Sequence, residues 1–348
     1  MNILLTGATG FVGKQLTIRL LSEGHTVYAL ARNERKAQAL EKAVPSEFQQ
    51  QLIHIHGDIS KKLVGVSSED VERLTNQIDT VYHIAAYLSF DEQDREKTFE
   101  INVEGTKEVL ELSKKIGTEN FFHVSTAYTL GDAQYAEEEL HPVDRSFVNS
   151  YEESKCHAEH LVFQYKEHFN INIYRPAIIV GDSRTGEADT TFALYGIIRS
   201  FQIMKKRMER KNLVDSPKVR FLCNEDTAQN FVPVDYVVDV LTAGLENGKP
   251  HTIYHITNSN PPINRKVYEI LTSELDFHQV QLVPTDRKDE LTEQELRFNE
   301  PMEVFHPYID KTLTFDDSNT SQLLGDSNVK PLDMDEKVLR TIIAEKCR

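Results

Sequence analysis

The first thirteen residues carry the feature that most constrains this chain, a short apolar run followed by three regularly spaced glycines. The run Ile3–Leu5 is typical of a buried parallel strand, and it ends at Thr6. Gly7, Gly10 and Gly13 follow, and apolar residues then recur at helical spacing. The order of strand, glycine turn and helix predicts a site that binds a dinucleotide.

Each of the three glycines has a physical task in such a turn. Gly7 permits the tight turn, Gly10 lets a pyrophosphate approach the backbone, and Gly13 allows the helix to pack close to the strand. The free N–H groups and the dipole at the helix N-terminus then favour the bound anion. A glycine triplet by itself is weak evidence, and here the flanking strand and helix make it specific.

Composition limits the function classes. The chain has 348 residues, enough to bury a sizeable core, and a formal net charge of −16, which argues against non-specific binding to nucleic acid or to an anionic membrane surface. No apolar run approaches the roughly 18–20 residues that cross a bilayer, and the first strand begins too early for a signal peptide. Three widely separated cysteines fit a reducing compartment and show no metal-binding spacing. We therefore expect a cytoplasmic protein without a metal site.

Strand-like and helix-like segments alternate over the first part of the chain, which predicts an α/β fold with a Rossmann-type, doubly wound parallel sheet. The expected strands after the first are Thr26–Ala31, Leu52–His56, Ile78–Ala86, Phe121–Thr126 and Ile171–Val180. A later strand, Thr252–Ile256, is expected to rejoin this sheet, and Lys218–Cys223 is expected to be a strand outside it. The segment that begins at Asn102 is expected to open a helix.

The regular alternation stops near residue 185, which suggests a second structural region. We expect residues 1–185, rejoined by 231–258, to form the dinucleotide-binding domain. Residues 186–230, which include a basic helical stretch at 194–211, and residues 259–348 are expected to form a smaller, mostly helical substrate-binding domain. The pattern of this second region is too irregular to reveal the substrate.

The end of the second strand indicates which dinucleotide is bound. The strand ends in Ala31 and Arg32, with Arg35 and Lys36 just beyond. Folds that select NAD usually place an acidic residue here to bind the adenosine ribose. An acid would repel a 2′-phosphate, whereas an arginine can bind one in bidentate fashion. The pattern favours NADP(H), with NAD(H) as the alternative, and its competing interpretation is a solvated basic start of the next helix.

Hydroxyl and ammonium groups cluster after the fifth strand. Ser125 and Thr126 stand where that strand ends, and ligands of parallel sheets bind beyond the carboxyl ends of the strands. Tyr151 and Lys155 are four residues apart, which places them on one helix face within reach of one bound molecule. Asp58, after the third strand, is placed to meet an adenine amino group. A Tyr-Lys pair at this spacing is common by chance, so its weight comes from the other motifs.

Taken together, Thr6-Gly-x-x-Gly-x-x-Gly13, Asn102, Ser125-Thr126 and Tyr151-x-x-x-Lys155 resemble the extended short-chain dehydrogenase/reductase family, over nearly the whole chain. The resemblance implies that Thr126 is the catalytic hydroxyl, with Ser125 as the alternative, and that Asn102 supports the site. It also implies a set of cofactor-binding positions. These are Thr6, Gly7, Thr9, Gly10, Phe11, Val12, Gly13, Arg32, Arg35, Asp58, Ile59, Ala85, Ala86, Lys155 and Pro176.

The physical sense of the Tyr-Lys pair is direct. A phenol near pKa 10 is a poor acid at neutral pH, and a neighbouring ammonium lowers its pKa. Lys155 would act in this way while binding the nicotinamide ribose. Thr126 would hold the carbonyl oxygen beside Tyr151, so that the proton is supplied as hydride arrives.

Within this family, several stretches are most similar to the fatty acyl-CoA reductases and carrier-linked thioester reductases. These are Gly7–Lys14, Val27–Arg32, His123–Tyr128, Val180–Gly186 and Tyr308–Asp316. The similarity implies NADPH-dependent reduction of an acyl thioester or the related aldehyde. We expect no adenylation or carrier domain before the reductase motifs and no membrane-anchoring tail after them. The substrate would then be a small molecule linked to coenzyme A or to a separate carrier protein. The resemblance also allows a homodimer through a four-helix interface that includes the Tyr151 helix.

Two alternatives stay open. A nucleotide-sugar epimerase or dehydratase shares the fold and the Tyr-Lys pair but keeps its cofactor bound. Ala31-Arg32, and Ala127-Tyr128 in place of an acidic pair after Thr126, weigh against it. A non-catalytic NADP-binding regulator would typically lose Tyr151 or Lys155, and both are present. Net NADPH consumption separates the three classes.

Overall fold

The computed structural model describes residues 1–210 and 218–348. Its strands are β1 (Asn2–Thr6), β2 (Thr26–Ala31), β3 (Leu52–His56), β4 (Thr80–His83), β5 (Asn120–Val124), β6 (Tyr135–Ala136), β7 (Asn170–Pro176), β8 (Ile178–Val180), β9 (Val219–Leu222), β10 (Phe231–Pro233), β11 (Thr252–Ile256), β12 (Val280–Val283) and β13 (Thr314–Phe315). Residues 211–217, which fall in the expected substrate-binding domain and include the expected end of its basic helix, lie outside the described residues.

The α-helices of the described residues lie between and after these strands. They are α1 (Phe11–Ser22), α2 (Glu34–Ala43), α3 (Ser68–Leu74), α4 (Arg95–Phe99), α5 (Gly105–Ile116), α6 (Ser150–Phe163), α7 (Leu194–Arg210), α8 (Val234–Asn247), α9 (Asn264–Glu274), α10 (Glu293–Asn299), α11 (His306–Ile309), α12 (Ser318–Gly325) and α13 (Glu336–Cys347). None of the helices in the described ranges is long and apolar enough to cross a bilayer.

Two compact units make up the chain. The first consists of Met1–Ala177, Val237–Ile256 and Phe315–Pro331. The second consists of Ile178–Tyr236, Thr257–Thr314 and Leu332–Arg348. These bounds describe packing, and the functional division into cofactor and substrate domains stays a prediction.

The first unit is built on a parallel sheet of seven strands in the order β11-β7-β5-β4-β1-β2-β3. This is the doubly wound α/β sheet that the alternation of segments predicts. The chain winds outwards from β1 to β2 and β3 on one side, and from β4 onwards on the other. The direction of winding therefore reverses between β1 and β4, and ligands of such sheets bind at this point beyond the carboxyl ends of the strands.

An apolar core holds the sheet against its helices. Leu4, Val81, Phe121 and Ile171, from four neighbouring strands, are completely buried in one cluster with residues of α5 and α6. Strands that are buried on both faces read as nearly continuous apolar runs, which is why β1 and β5 were recognisable from the sequence.

Several expected elements differ from the structure. The expected fifth strand, Phe121–Thr126, is Asn120–Val124, so Ser125 and Thr126 follow the strand instead of ending it. The expected fourth strand, Ile78–Ala86, is only Thr80–His83. The Ile84 N–H still donates to the Thr6 carbonyl of β1, but the next N–H, that of Ala85, donates to the Thr6 hydroxyl instead of to strand backbone. The expected strand Ile171–Val180 is two strands, since the Ala177 N–H donates to Ile256 whereas the Ile178 N–H donates to Asn230. Asn102 does not open a helix, because it lies in a π-helical turn, Glu100–Glu104, that joins α4 to α5.

The second unit contains two small parallel sheets, β8 with β10 and β9 with β12. Its core is aromatic. Phe201 of α7 packs against Phe221, Tyr268 and Phe298, with ring centroids 5.1 to 5.6 Å apart. The expected strand at 218–223 is present as β9. Its partner strand β12 had no clear signal in the sequence.

Candidate cofactor-binding and catalytic site

The glycine turn after β1 forms a close cradle. Gly7 has a φ of +77°, and a Cβ added there would lie 2.7 Å from the backbone nitrogen of Ala85. A Cβ on Gly13 would lie 2.1 Å from the carbonyl oxygen of Gly7, so α1 can approach β1 only with glycine at this position. The Gly10 N–H donates to the Gly7 carbonyl over 2.9 Å.

The N-terminus of α1 has no side-chain cap. Gly10 caps the helix with no side-chain hydrogen bond, so the first N–H groups of α1, which include those of Phe11 and Val12, have no side-chain acceptor at the cap. Thr9 lies half-buried in the turn that precedes it. A helix N-terminus with no side-chain cap, beside a turn in which Gly7 and Gly13 leave no room for a Cβ, fits the pyrophosphate of a dinucleotide.

The first four strands deliver further expected positions to this end of the sheet. The Thr6 hydroxyl accepts a hydrogen bond of 3.2 Å from the Ala85 N–H, which fixes the small residues Ala85 and Ala86 beside the glycine turn. Ile59 packs closely on α5, where a Cβ on Gly105 would lie 3.2 Å from its carbonyl oxygen.

Asp58 and Arg32 follow the ends of the paired strands β3 and β2. The Asp58 carboxylate accepts hydrogen bonds from the Ser60 N–H (3.1 Å) and hydroxyl (2.9 Å). Burial raises the pKa of Asp58, but these two donors and the charges of Arg32 and Lys61 bring the pKa below its usual value. Arg32 is exposed and electrostatically coupled to Asp58, and Arg35 is exposed in the first turn of α2.

The helix α6 carries both Tyr151 and Lys155. Lys155 is almost completely buried, and its Nζ donates to the Val124 carbonyl over 2.8 Å and lies 3.2 Å from Nε2 of His123. Burial lowers the pKa of Lys155 to about 8, while the charge of Glu159 opposes that shift.

Tyr151 has a raised pKa, mainly through burial and secondarily through the negative charge of Glu152. Its ring lies 6.2 Å from that of Phe90. In this structure the hydrogen bonds of Lys155 go to β5. The expected lowering of the Tyr151 pKa by Lys155 therefore stays a prediction for the cofactor-bound state.

Ser125 and Thr126 have different surroundings. Ser125 is buried, its N–H donates to the Tyr174 carbonyl over 2.7 Å, and its side chain helps to lower the pKa of Glu159. The Thr126 hydroxyl accepts from the Tyr128 N–H at 3.3 Å and lies 3.5 Å from the carbonyl oxygen of Pro176, another expected cofactor-binding position. Both hydroxyls are thus buried, and which of them reacts stays a prediction.

Asn102 connects the loop after β4 to α6. Its side chain accepts from the Tyr87 N–H (2.7 Å) and donates to the Tyr87 carbonyl (3.0 Å) and to the Ser154 hydroxyl (2.9 Å). A π-helical turn places one extra residue in a helix and often occurs at functional sites. Here the turn places the Asn102 amide against Ser154, the residue that precedes Lys155 in α6.

Two buried histidines that contact these groups, His83 beside Thr6 and His123 beside Lys155, were not among the predicted site residues. Nδ1 of His83 is 2.8 Å from the Thr6 hydroxyl, and its Nε2 is 2.9 Å from the Thr106 hydroxyl. A histidine near the carboxyl end of two neighbouring buried strands was the available signal.

The sheet order, the glycine cradle and the Tyr-Lys helix define the extended short-chain dehydrogenase/reductase class of NAD(P)-dependent oxidoreductases. A family model described as "Male sterility protein" matches residues 5–241, more than half of the chain. The chain belongs to this NAD-binding family.

Curated relatives are fatty acyl-CoA reductases. The chain is 26% identical over 288 residues to the fatty acyl-CoA reductase wat of Drosophila melanogaster, covering 70% of this chain and 53% of the relative. It is 31% identical over 222 residues to fatty acyl-CoA reductase 1 of Xenopus laevis, covering 51% of this chain and 43% of the relative. The match thus spans about half the length of these relatives.

Solved structures share the fold. The terminal R domain of the myxalamid PKS-NRPS biosynthetic pathway superposes with a TM-score of 0.80 at 23% identity, covering 99% of this chain and 90% of that domain. A UDP-glucuronic acid 4-epimerase of Bacillus cereus, solved in complex with NAD, has a TM-score of 0.68 at 20% identity, covering 100% of this chain and 96% of the epimerase.

Proposed function

We propose that this protein is an NADPH-dependent reductase of acyl thioesters, or of the related aldehydes. The observation that carries the proposal is the presence of Tyr151 and Lys155 on one helix beside the buried end of β5, in the unit that also holds the glycine cradle. The names of the curated relatives support an acyl-coenzyme A substrate. A carrier-linked thioester is the second form of the same substrate chemistry.

The residues present fit a nicotinamide dinucleotide. The cradle of Gly7, Gly10 and Gly13 would receive the pyrophosphate, and Asp58 would receive the adenine. Arg32, exposed and close enough to Asp58 to act on its pKa, would pair with a 2′-phosphate, which supports NADP(H) over NAD(H). When bound, the cofactor supplies the hydride.

The protein's own groups would manage the proton and the carbonyl oxygen. Tyr151 would donate its phenolic proton to the developing alkoxide, and the Thr126 hydroxyl would donate a hydrogen bond to the same oxygen. Lys155, held by β5, would stabilise the phenolate that Tyr151 becomes. A lysine with a pKa of about 8 is still mostly charged at neutral pH, as this role requires.

Replacing Tyr151 by phenylalanine tests this assignment. Tyr151→Phe removes only the phenolic hydroxyl, so the rate of NADPH oxidation with a long-chain acyl-coenzyme A should fall at least about 100-fold. The affinity for NADPH, measured by its fluorescence on binding, should change little. Tyr135→Phe, which alters a tyrosine 53% exposed on the surface, is the matched control and should behave as the unmodified enzyme. Turnover retained in Tyr151→Phe would remove Tyr151 from the reaction.

A further inference from the structure

A row of buried polar side chains crosses three neighbouring strands beneath the site. Thr6 pairs in register with His83, and His83 pairs in register with His123. Their side chains therefore lie on one face of the sheet. All three residues are at most 1% exposed, and the two imidazole rings are 5.3 Å apart.

Two helices contact this row. Thr106 of α5 contacts His83 at 2.9 Å and donates to the Asn102 carbonyl at 2.7 Å. Lys155 of α6 contacts His123 at 3.2 Å. The row thus connects the glycine turn, the π-helical turn and the Tyr151 helix through buried contacts.

Lys155 directs two of its N–H donors to residues of β5. An ammonium group has three N–H donors. One points to the Val124 carbonyl and one to Nε2 of His123, so two successive residues of β5 hold the group. The remaining donor is available to the cofactor ribose or to the phenol of Tyr151. A lysine side chain is flexible, and without the second contact its Nζ would lose part of this orientation.

His123 is an expensive residue to bury. Its Nδ1 has no hydrogen-bond partner among residues 1–210 and 218–348, although the residue is completely buried. An unpartnered buried polar atom in a native fold calls for an explanation. An apolar side chain at this position would avoid that cost. The presence of a histidine is therefore explained if its other nitrogen, Nε2, has a role.

We infer that His123 is a positioning residue, whose neutral imidazole accepts a hydrogen bond from Lys155 through Nε2 and so orients the ammonium and keeps it charged. The inference rests on the proposed function for the role of Lys155. The titratable groups that face His123 are Lys155 on α6 and His83 on β4, and Glu159 on α6 acts on Lys155. Burial, followed by the charge of Lys155 and then that of His83, lowers the pKa of His123 well below its ordinary value, so the ring is a neutral acceptor.

The variants can separate the acceptor from the packing. His123→Phe keeps an aromatic ring but has no acceptor, and His123→Leu is a smaller acceptor-free variant that avoids overpacking. His123→Gln places an amide oxygen near the position of Nε2 and should restore the contact. His54→Phe, at an exposed position of β3, controls for the loss of a strand histidine.

Two readouts test the inference. The first is the pKa of Lys155, followed by ¹⁵N NMR of its Nζ and assigned by loss of the signal in Lys155→Met. The second is the pH profile of kcat/KM. Without the acceptor, the buried ammonium is less favoured, so in His123→Phe and His123→Leu the Lys155 pKa and the alkaline limb should both move down by about one pH unit. We also expect kcat to fall at least about tenfold, since a misplaced catalytic group is costly.

The expected result is this double shift in the acceptor-free variants, with values close to those of the unmodified enzyme in His123→Gln and His54→Phe. A folded His123→Phe or His123→Leu with an unchanged Lys155 pKa and an unchanged pH profile would overturn the inference, even if its melting temperature were lower. The NMR titration needs no substrate. If the unmodified protein reduces none of the carbonyl compounds offered, the proposed function fails, and the titration still decides whether His123 acts on Lys155.

Discussion

A single added carbon atom decides which residues the glycine turn after β1 can contain. A Cβ on Gly13 would overlap the Gly7 carbonyl at 2.1 Å, whereas a Cβ on Gly196 in α7 would meet nothing nearer than 3.7 Å. Both are helical glycines, yet only Gly13 is required by close packing of helix on strand. The three-residue spacing of glycines in the sequence was informative because Gly7 and Gly13 each have a separate steric reason, a positive φ with a close contact at Gly7 and helix packing at Gly13.

At the same scale, Arg32 should determine cofactor choice. In Arg32→Ala the affinity for NADPH should fall at least about tenfold, since a bidentate contact to a phosphate is lost, while the affinity for NADH should hardly change. The measurement is a pair of fluorescence titrations. Arg73→Ala removes an exposed arginine on α3 and is the control for net charge. Equal losses for both cofactors in Arg32→Ala would mean that Arg32 does not contact the 2′-phosphate.

Among the elements, α6 is held by two ion pairs, one buried and one at the surface. Glu159 makes a bidentate pair with Arg175 of β7, and both side chains are completely buried. Glu153 makes a bidentate pair with Arg95 of α4, which is 47% exposed. Burial raises the pKa of Glu159, but the charge and hydrogen bonds of Arg175, together with Ser125 and His141, lower it to below its ordinary value.

The two pairs on α6 give a matched prediction. Glu159→Gln leaves the buried Arg175 without its counter-charge and should lower the free energy of unfolding by roughly 3–5 kcal/mol. Glu153→Gln, at the surface, should lower it by about 1 kcal/mol or less. Urea unfolding followed by circular dichroism measures both. Similar values for the two variants would show that the Arg175–Glu159 pair does not anchor α6.

Local sequence patterns were sufficient for some elements and insufficient for others. The strands β2 and β3 have the expected bounds, because each is a compact run with turn residues on both sides. The strand β12 pairs with β9 some sixty positions away along the chain, and no local pattern specifies such a pairing. The π-helical turn at Asn102 was missed for a related reason, because its signal is a tertiary contact with Tyr87 and Ser154.

The candidate site likewise contains residues that local sequence patterns could predict and residues that they could not. The glycines, Tyr151 and Lys155 could be picked out from the sequence, because the proposed chemistry requires those residue types at those spacings. The role of His123 could not be predicted, because it depends on the register of β4 against β5 and on the contact that Lys155 makes from α6.

For the whole molecule, buried histidines set the acid limit of stability. Burial is the main cause that lowers the pKa of His83 to about 3, of His141 and His255 to about 4, and of His123 well below its ordinary value. In the unfolded chain these groups titrate near 6.5. Their neutral forms contribute stability that is present above pH 6.5 and is lost as the pH falls towards the folded values.

Glu138 acts in the opposite direction. Burial raises its pKa to about 7, so its contribution is present below the unfolded value of 4.5 and is lost as the pH rises through 7. Each of the four histidines costs about 1.4 kcal/mol per pH unit below pH 6.5, and one carboxyl offsets only one of them. The melting temperature should therefore fall steeply between pH 6.5 and pH 4.5, as calorimetry can measure. A melting temperature that stays constant over this range would contradict the buried neutral histidines.

The central claim is that this protein consumes NADPH to reduce an acyl thioester. The most direct measurement is the stoichiometry of NADPH oxidation in the presence of acyl-coenzyme A esters, aldehydes and nucleotide sugars, with the organic products identified in the same samples. We predict that NADPH is oxidised in proportion to the aldehyde or alcohol formed from a thioester. Conversion of a nucleotide sugar without net oxidation of NADPH, and no reaction with any thioester or aldehyde, would contradict the claim.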